Sequence, residues 1–263
     1  MIDYEKIFRT PYSTAPHFEV YDGELVDLRT NIDKYIEREF EWTVRSNKSY
    51  FEDALRIDFN AIEEAVTALG LDRHLSIGHN YTNETLLRRL GVLLQEDIAI
   101  IDHGVLTDAY IAFPTNWNPI EKNFKTLAEI HCPVAHSESL VKASGKICDK
   151  LANSGKNYHR YAWTITHDER YSHHPDVVKK PFDLRPYSVL SGTFVRIEHQ
   201  KTFPIAKNIF GFLIDVTVVP MLNLRYDIQE RLFLSLRSMS DEIINYKNIR
   251  KHRNMLLGKH RES

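Results

Sequence analysis

With 263 residues, 43% of them hydrophobic and 11% aromatic, the chain can bury one large core and has the make-up of an ordinary globular protein, so a single domain over 1–263 is the simplest reading. Its 34 basic and 36 acidic residues nearly cancel and are interspersed, which leaves no field to draw in nucleic acid or an anionic membrane and points to a small or protein partner. The two cysteines, Cys132 and Cys148, exclude a disulfide framework, a four-cysteine zinc site and a four-cysteine iron–sulfur cluster made by this chain alone.

Met1 to Lys6 lacks a basic stretch leading into an apolar core, and no apolar run reaches the ~18 residues of a membrane span, so the expectation is a cytoplasmic protein. Leu25, Leu28, Ile32, Tyr35, Ile36 and Phe40 recur at helix spacing. Phe51, Leu55, Phe59, Ile62, Val66 and Leu69 do so again, and both helices are expected to pack on a sheet. Asn83 is a good N-cap for a third helix carrying Leu86, Leu87, Leu90, Leu93 and Leu94, after which Asp97 to Ile101 turns strand-like. Strands then dominate: Leu106–Phe113, Tyr158–Thr166, Gly192–Thr202 and Phe210–Val219 are rich in aromatic or β-branched residues. A helix from Ser137 to Asn153 interrupts them, and Tyr226–Met239 closes the chain as an amphipathic helix with a shorter one after it. The polar, proline-bearing stretch from Ser172 to Pro186 reads as a long loop, more simply a surface excursion than a lid. Strands and helices without regular alternation predict an α+β fold, an antiparallel sheet with helices on one side.

In the strand from Gly192 to Thr202, side chains alternate between faces: Val195 and Ile197 point one way, Arg196, Glu198 and Gln200 the other. A wet sheet face is the plainer explanation of that polar row. Facing a cavity instead, Arg196 would suit a carboxylate and Glu198 a cationic amine. His-x-Asp/Glu, two of the three ligands of a non-haem iron triad, occurs at His17, His136, His167, His174 and His260, against about two expected by chance from 13 histidines and 36 acidic residues, and so selects no site. The zinc-protease, nucleophile-elbow, phosphate-loop and Cys-x-x-Cys motifs are all missing. Leu127 to His131 reads as one helical turn that Pro133 must stop, which aims the imidazole of His131 from a helix end. A lone histidine among apolar neighbours is more often a satisfied core residue than a ligand. His136, beyond the proline, does not share the direction of His131.

Five segments, in order, resemble the haem-dependent oxidative N-demethylase family: Leu93-Leu-Gln-Glu-Asp-Ile-Ala-Ile100, Phe113-Pro-Thr-Asn-Trp-Asn-Pro-Ile-Glu-Lys122, Leu127-Ala-Glu-Ile-His-Cys-Pro-Val134, Tyr161-Ala-Trp-Thr164 and Phe194-Val-Arg-Ile-Glu-His-Gln-Lys-Thr202. With Met239 and Tyr246-Lys247, the resemblance spans roughly Asp33 to Lys247. It implies a PAS-like antiparallel sheet, flanked by helices, that carries haem b, with O2 as co-substrate, iron as the site of oxygen chemistry, and a methyl group of a small amine leaving as formaldehyde. It also implies electrons from a separate NAD(P)H/flavin/iron–sulfur reductase, in keeping with the cysteine count and the missing nucleotide motif.

Carried over by position, His131 is the implied iron ligand, Arg196 lies near a haem propionate or bound oxygen, and Trp163 borders the cofactor. The role of Glu198, holding the substrate amine, comes from its place on the strand and not from the resemblance. His199 stands where the family pattern has a second arginine, and Ala135 where it has a proline after Pro133-Val134. The competing readings are a haem-binding sensor or carrier without turnover, since a fold does not fix an activity, and a relative without haem. A homo-oligomer is compatible with all of them.

Overall fold

The computed structural model describes residues 3–28, 31–51, 59–75, 83–178 and 189–258. Along them lie α1 (Tyr4–Ile7), β1 (Glu19–Val20), α2 (Ile32–Ser49), β2 (Tyr50–Phe51), α3 (Phe59–Ala68), α4 (Asn83–Leu93), β3 (Asp97–Asp102) and β4 (Val105–Tyr110). There follow α5 (Leu127–His131), α6 (Glu138–Asn153), β5 (Tyr158–Thr166), β6 (Phe194–Ala206), β7 (Ile209–Pro220), α7 (Tyr226–Ser238), α8 (Asp241–Tyr246) and α9 (Arg250–Leu256). The strands form one seven-stranded sheet in the order β1-β5-β6-β7-β3-β4-β2, antiparallel at every pairing. This is the expected α+β class.

Two tight turns set the register of the middle strands. His103 and Gly104 have φ of 48° and 78°, the two left-handed residues that a type I′ hairpin between β3 and β4 requires. Asn208, with φ of 64°, helps turn β6 into β7. Where β4 was expected to run to Phe113 it stops at Tyr110, because the amides of Ala112 and Phe113 leave the ladder to donate to the Asp97 carboxylate, at 3.0 and 2.9 Å.

Helices cover both faces of the sheet, not one. Ile98, Ile100, Tyr110 and Leu213 pack with the α3 and α4 side chains. Ala99, Ile101, Leu106 and Phe210 point the other way, with Leu151 of α6 and with Leu127 and Ile130 of α5. Beyond Gly91, α4 rests directly on β4: a Cβ at that glycine would lie 2.2 Å from the Tyr110 ring. A third cluster joins α1 and α7 to α9 to Trp163, Val195 and Ile197.

The first expected helix is oriented opposite to its apolar pattern. In α2, Ile32, Ile36 and Phe40 are 58%, 59% and 54% exposed, Tyr35 and the preceding Leu28 are also exposed, and of the six expected residues only Leu25, ahead of the helix, packs on the core. The charged side turns inward because it finds partners there. Arg38 donates to Asp97 at 2.9 Å, with both side chains 1% exposed, Lys34 to Asp215 at 2.5 Å, and Glu37 accepts the Tyr171 and Ser172 amides. The second expected helix starts later than its pattern suggested: Phe51 pairs with Ala109 in β2, and Leu55 lies outside the described residues. Ile62 and Val66 are buried in α3 as expected.

α9 places His252 beneath the β6 entry, where its Nε2 shares a 2.7 Å hydrogen bond with the Thr193 hydroxyl. Burial, then the nearby His167, push its pKa down to about 4. A histidine held neutral in the fold contributes stability that is complete above its ordinary pKa near 6.5 and is lost as pH falls toward 4. His252→Gln is therefore expected to lower the pH dependence of urea unfolding by about one proton across that window. An unchanged slope would remove His252 from the acid response.

Candidate functional site

The segment before α5 is pinned to the sheet. The Leu106 amide donates to the Lys125 carbonyl and the Leu127 amide to the Gly104 carbonyl. Thr126 and Glu129 close a capping box, the Glu129 amide donating to the threonine hydroxyl and the Thr126 amide to the glutamate. The short helix ends, as Pro133 requires, just past His131. There the imidazole Nδ1 lies 2.9 Å from the Leu127 carbonyl. A carbonyl only accepts, so Nδ1 carries the proton and Nε2 keeps its lone pair. Burial holds the His131 pKa below its ordinary value, the Leu127 hydrogen bond opposing and the charges of Arg160 and Lys122 reinforcing the shift.

His131 lines a cavity of about 830 Å3, together with Arg160, Trp163, Arg196 and Glu198. That size is within the ~300–1,000 Å3 of small-molecule sites. Ala99, Ile101, Leu106, Phe210 and Phe212 give it an apolar wall. The polar row of β6 therefore faces an enclosed space and not bulk water, which overturns the plainer expectation: Arg196 is 1% exposed and the Glu198 side chain 19%.

Within that row the side chains are tied to the protein and to one another. Arg196 spends three donors on the protein: Nε to the Thr115 hydroxyl at 2.8 Å, and the two terminal nitrogens to the carbonyls of Tyr171 and Phe113. It is first a clamp on two loops, placing Thr115. Thr115 in turn donates to Glu198 at 2.5 Å, and Gln200 donates to the other carboxylate oxygen at 2.8 Å. Arg196 itself stands 3.9 Å from Glu198. Trp163 borders the cavity, but its ring packs edge-on against Phe8 and Tyr12, with centroids at 5.1 and 5.7 Å. It pairs across the strands with Ile197, not with Glu198.

His199, the departure from the family pattern, stacks on Tyr161 with centroids 4.4 Å apart and its Nε2 lies 2.9 Å from Nδ1 of His159. Ala135 is partly buried against the α7 to α9 cluster. The beginning of the supposed surface loop is interior: Ser172, His173 and His174 are buried, and His173 bridges to Thr115. Residues 179–186 of that stretch lie outside the described residues. Among the described residues no group of three or more His, Cys, Asp or Glu side chains is placed to hold a metal ion, and His260 is not among them. His136 bonds instead to Ser240.

Two wall residues were not anticipated. Thr115 carries no sequence signal beyond its place in a motif. Arg160 had one: it sits in β5 opposite Gln200, on the face that continues the Arg196, Glu198 and Gln200 row.

A family model described as haem-dependent oxidative N-demethylase, alpha subunit-like, matches residues 48–257, most of the chain. No curated protein matches it.

Proposed function

Because the chain belongs to the haem-dependent oxidative N-demethylase, alpha subunit-like family, we propose that it is a haem-dependent oxidoreductase that removes a methyl group from a small amine, using O2. The family is haem-dependent by its description. The observation that carries the reading for this chain is the neutral His131 on the cavity wall, whose Nδ1–H is spent on Leu127. Haem would need from the protein a neutral nitrogen donor for its iron and apolar surroundings for its ring. A single oriented imidazole beside an apolar wall fits that need, and the PAS-like character of the sheet, the iron and haem b belong to the same proposal.

Haem, when bound, supplies the oxygen and electron chemistry. The chain supplies position. Glu198, fixed by Thr115 and Gln200, has acceptor capacity left for an ammonium N–H, while the apolar wall receives the methyl groups. Arg196 keeps the Thr115 loop in place and so keeps the carboxylate aimed. Electrons come from a separate reductase, which suits a protein whose family is described as an alpha subunit. Among the described residues no helix is long and apolar enough to cross a membrane, and a cytoplasmic, single-domain protein remains part of this reading.

Reconstitution with haem is expected to give a Soret band, and formaldehyde release from methylamines with O2 and a surrogate reductase separates an enzyme from a sensor or carrier. Protein that shows no Soret band ends the proposal. Glu198→Gln is expected to raise the amine KM roughly 10- to 100-fold, the worth of a hydrogen bond to a charged group, with the Soret band unchanged. An unaltered KM would take the amine away from Glu198.

A further inference from the structure

Arg160, itself partly buried, stands apart from the buried cations Arg38, Lys201 and Arg196. Arg38 and Lys201 have carboxylates, and Arg196 has carbonyls and a hydroxyl. Arg160 lines the cavity, yet its Nε is buried without a hydrogen-bond partner and it forms no ion pair among the described residues. Its described contact is with Phe18, the ring centroid 5.8 Å from the guanidinium carbon. Glu198 is the main charge favouring its cationic form, but the hydrogen bonds that Glu198 accepts within the protein come from Thr115 and Gln200, and none comes from Arg160.

A guanidinium stays charged, and burying one without a counterion is costly. Among the described residues no hydrogen bond to its Nε offsets that cost, and a planar fork matches a carboxylate with two parallel hydrogen bonds. Lys122 also lines the cavity, and its charge, like that of Arg160, is felt at His131.

We propose that Arg160 is the carboxylate anchor of the cavity, binding the acid group of its ligand through the guanidinium. Two sources share that chemistry: a propionate of haem, which rests on the reading above, and the carboxylate of a zwitterionic substrate, an N-methyl amino acid whose ammonium meets Glu198.

Metal-free protoporphyrin needs no iron ligand, so it separates this claim from that of His131. The full chain, Arg160→Gln, Arg160→Lys and His131→Ala are titrated with protoporphyrin IX and with its dimethyl ester, reading porphyrin fluorescence. Thermal shifts with N-methylglycine and with dimethylamine are read alongside. The unaltered chain is expected to prefer the diacid at least about tenfold, one charge-assisted hydrogen bond's worth. Arg160→Gln should lose that preference, Arg160→Lys retain part of it, and His131→Ala keep it whole. If the porphyrin preference survives Arg160→Gln while that variant alone loses its response to N-methylglycine and keeps that to dimethylamine, the acid group is the substrate's and the anchor stands. The proposal is overturned if the unaltered chain favours neither acid over its neutral or amine counterpart, or if Arg160→Gln and Arg160→Lys discriminate as it does. A diacid preference that depends on Arg160, with no Soret band from the iron form, would instead defeat the haem reading and leave the anchor.

Discussion

His131→Ala is expected to weaken haem binding by at least about 100-fold, beyond the loss that follows removal of a group merely orienting a ligand. Added imidazole should restore the Soret band, because the void left at the end of α5 opens onto the cavity. The pH dependence follows from the burial that lowers the His131 pKa. Only the neutral ring coordinates, so haem affinity should stay level as pH falls through the ordinary histidine pKa near 6.5 and decline only below it. A ferrous spectrum unchanged by His131→Ala would remove the ligand assignment while leaving the haem.

How much of this was legible in the sequence depends on how far apart the deciding partners lie. Alternation in β6 separated Val195 and Ile197 from Arg196, Glu198 and Gln200 correctly, because period two is a local property. It could not say what covers the polar face, since the cover comes from α5 and from the segment around Thr115. The proline-stopped turn at His131 was equally local, and the Leu127 hydrogen bond is four residues away. In α2 the same kind of reasoning failed. Ile32, Ile36 and Phe40 recur at helix spacing, but so do Lys34, Arg38 and Glu41, and the choice of inward face rests on carboxylates 59 and 181 residues away. Apolar periodicity names a stripe; buried charge partners decide here which stripe is inside.

Those partners bring the fold and the site onto one residue. Asp97 takes Arg38 on one oxygen along with the Ala112 amide, and the Phe113 amide on the other. The Phe113 carbonyl then receives Arg196, and two residues on, the Thr115 hydroxyl holds Glu198. Asp97→Ala would leave a buried guanidinium and two amides without their acceptor, and is expected to cost about 3–5 kcal/mol. For a chain of this length that is a fall in Tm on the order of 10 °C. Because Arg38 loses its reason to be inside, Arg38→Met combined with Asp97→Ala should cost clearly less than the two single changes added together. Thermal unfolding of the four proteins measures that coupling, and simple additivity would mean that the pair does not hold α2 in place. The loop should loosen with it. Under the proposed function, Asp97→Ala at a temperature where it remains folded is expected to raise the amine KM as Glu198→Gln does, with His131 and its Soret band unaffected, because α5 is pinned to β4 by contacts that Asp97 does not share.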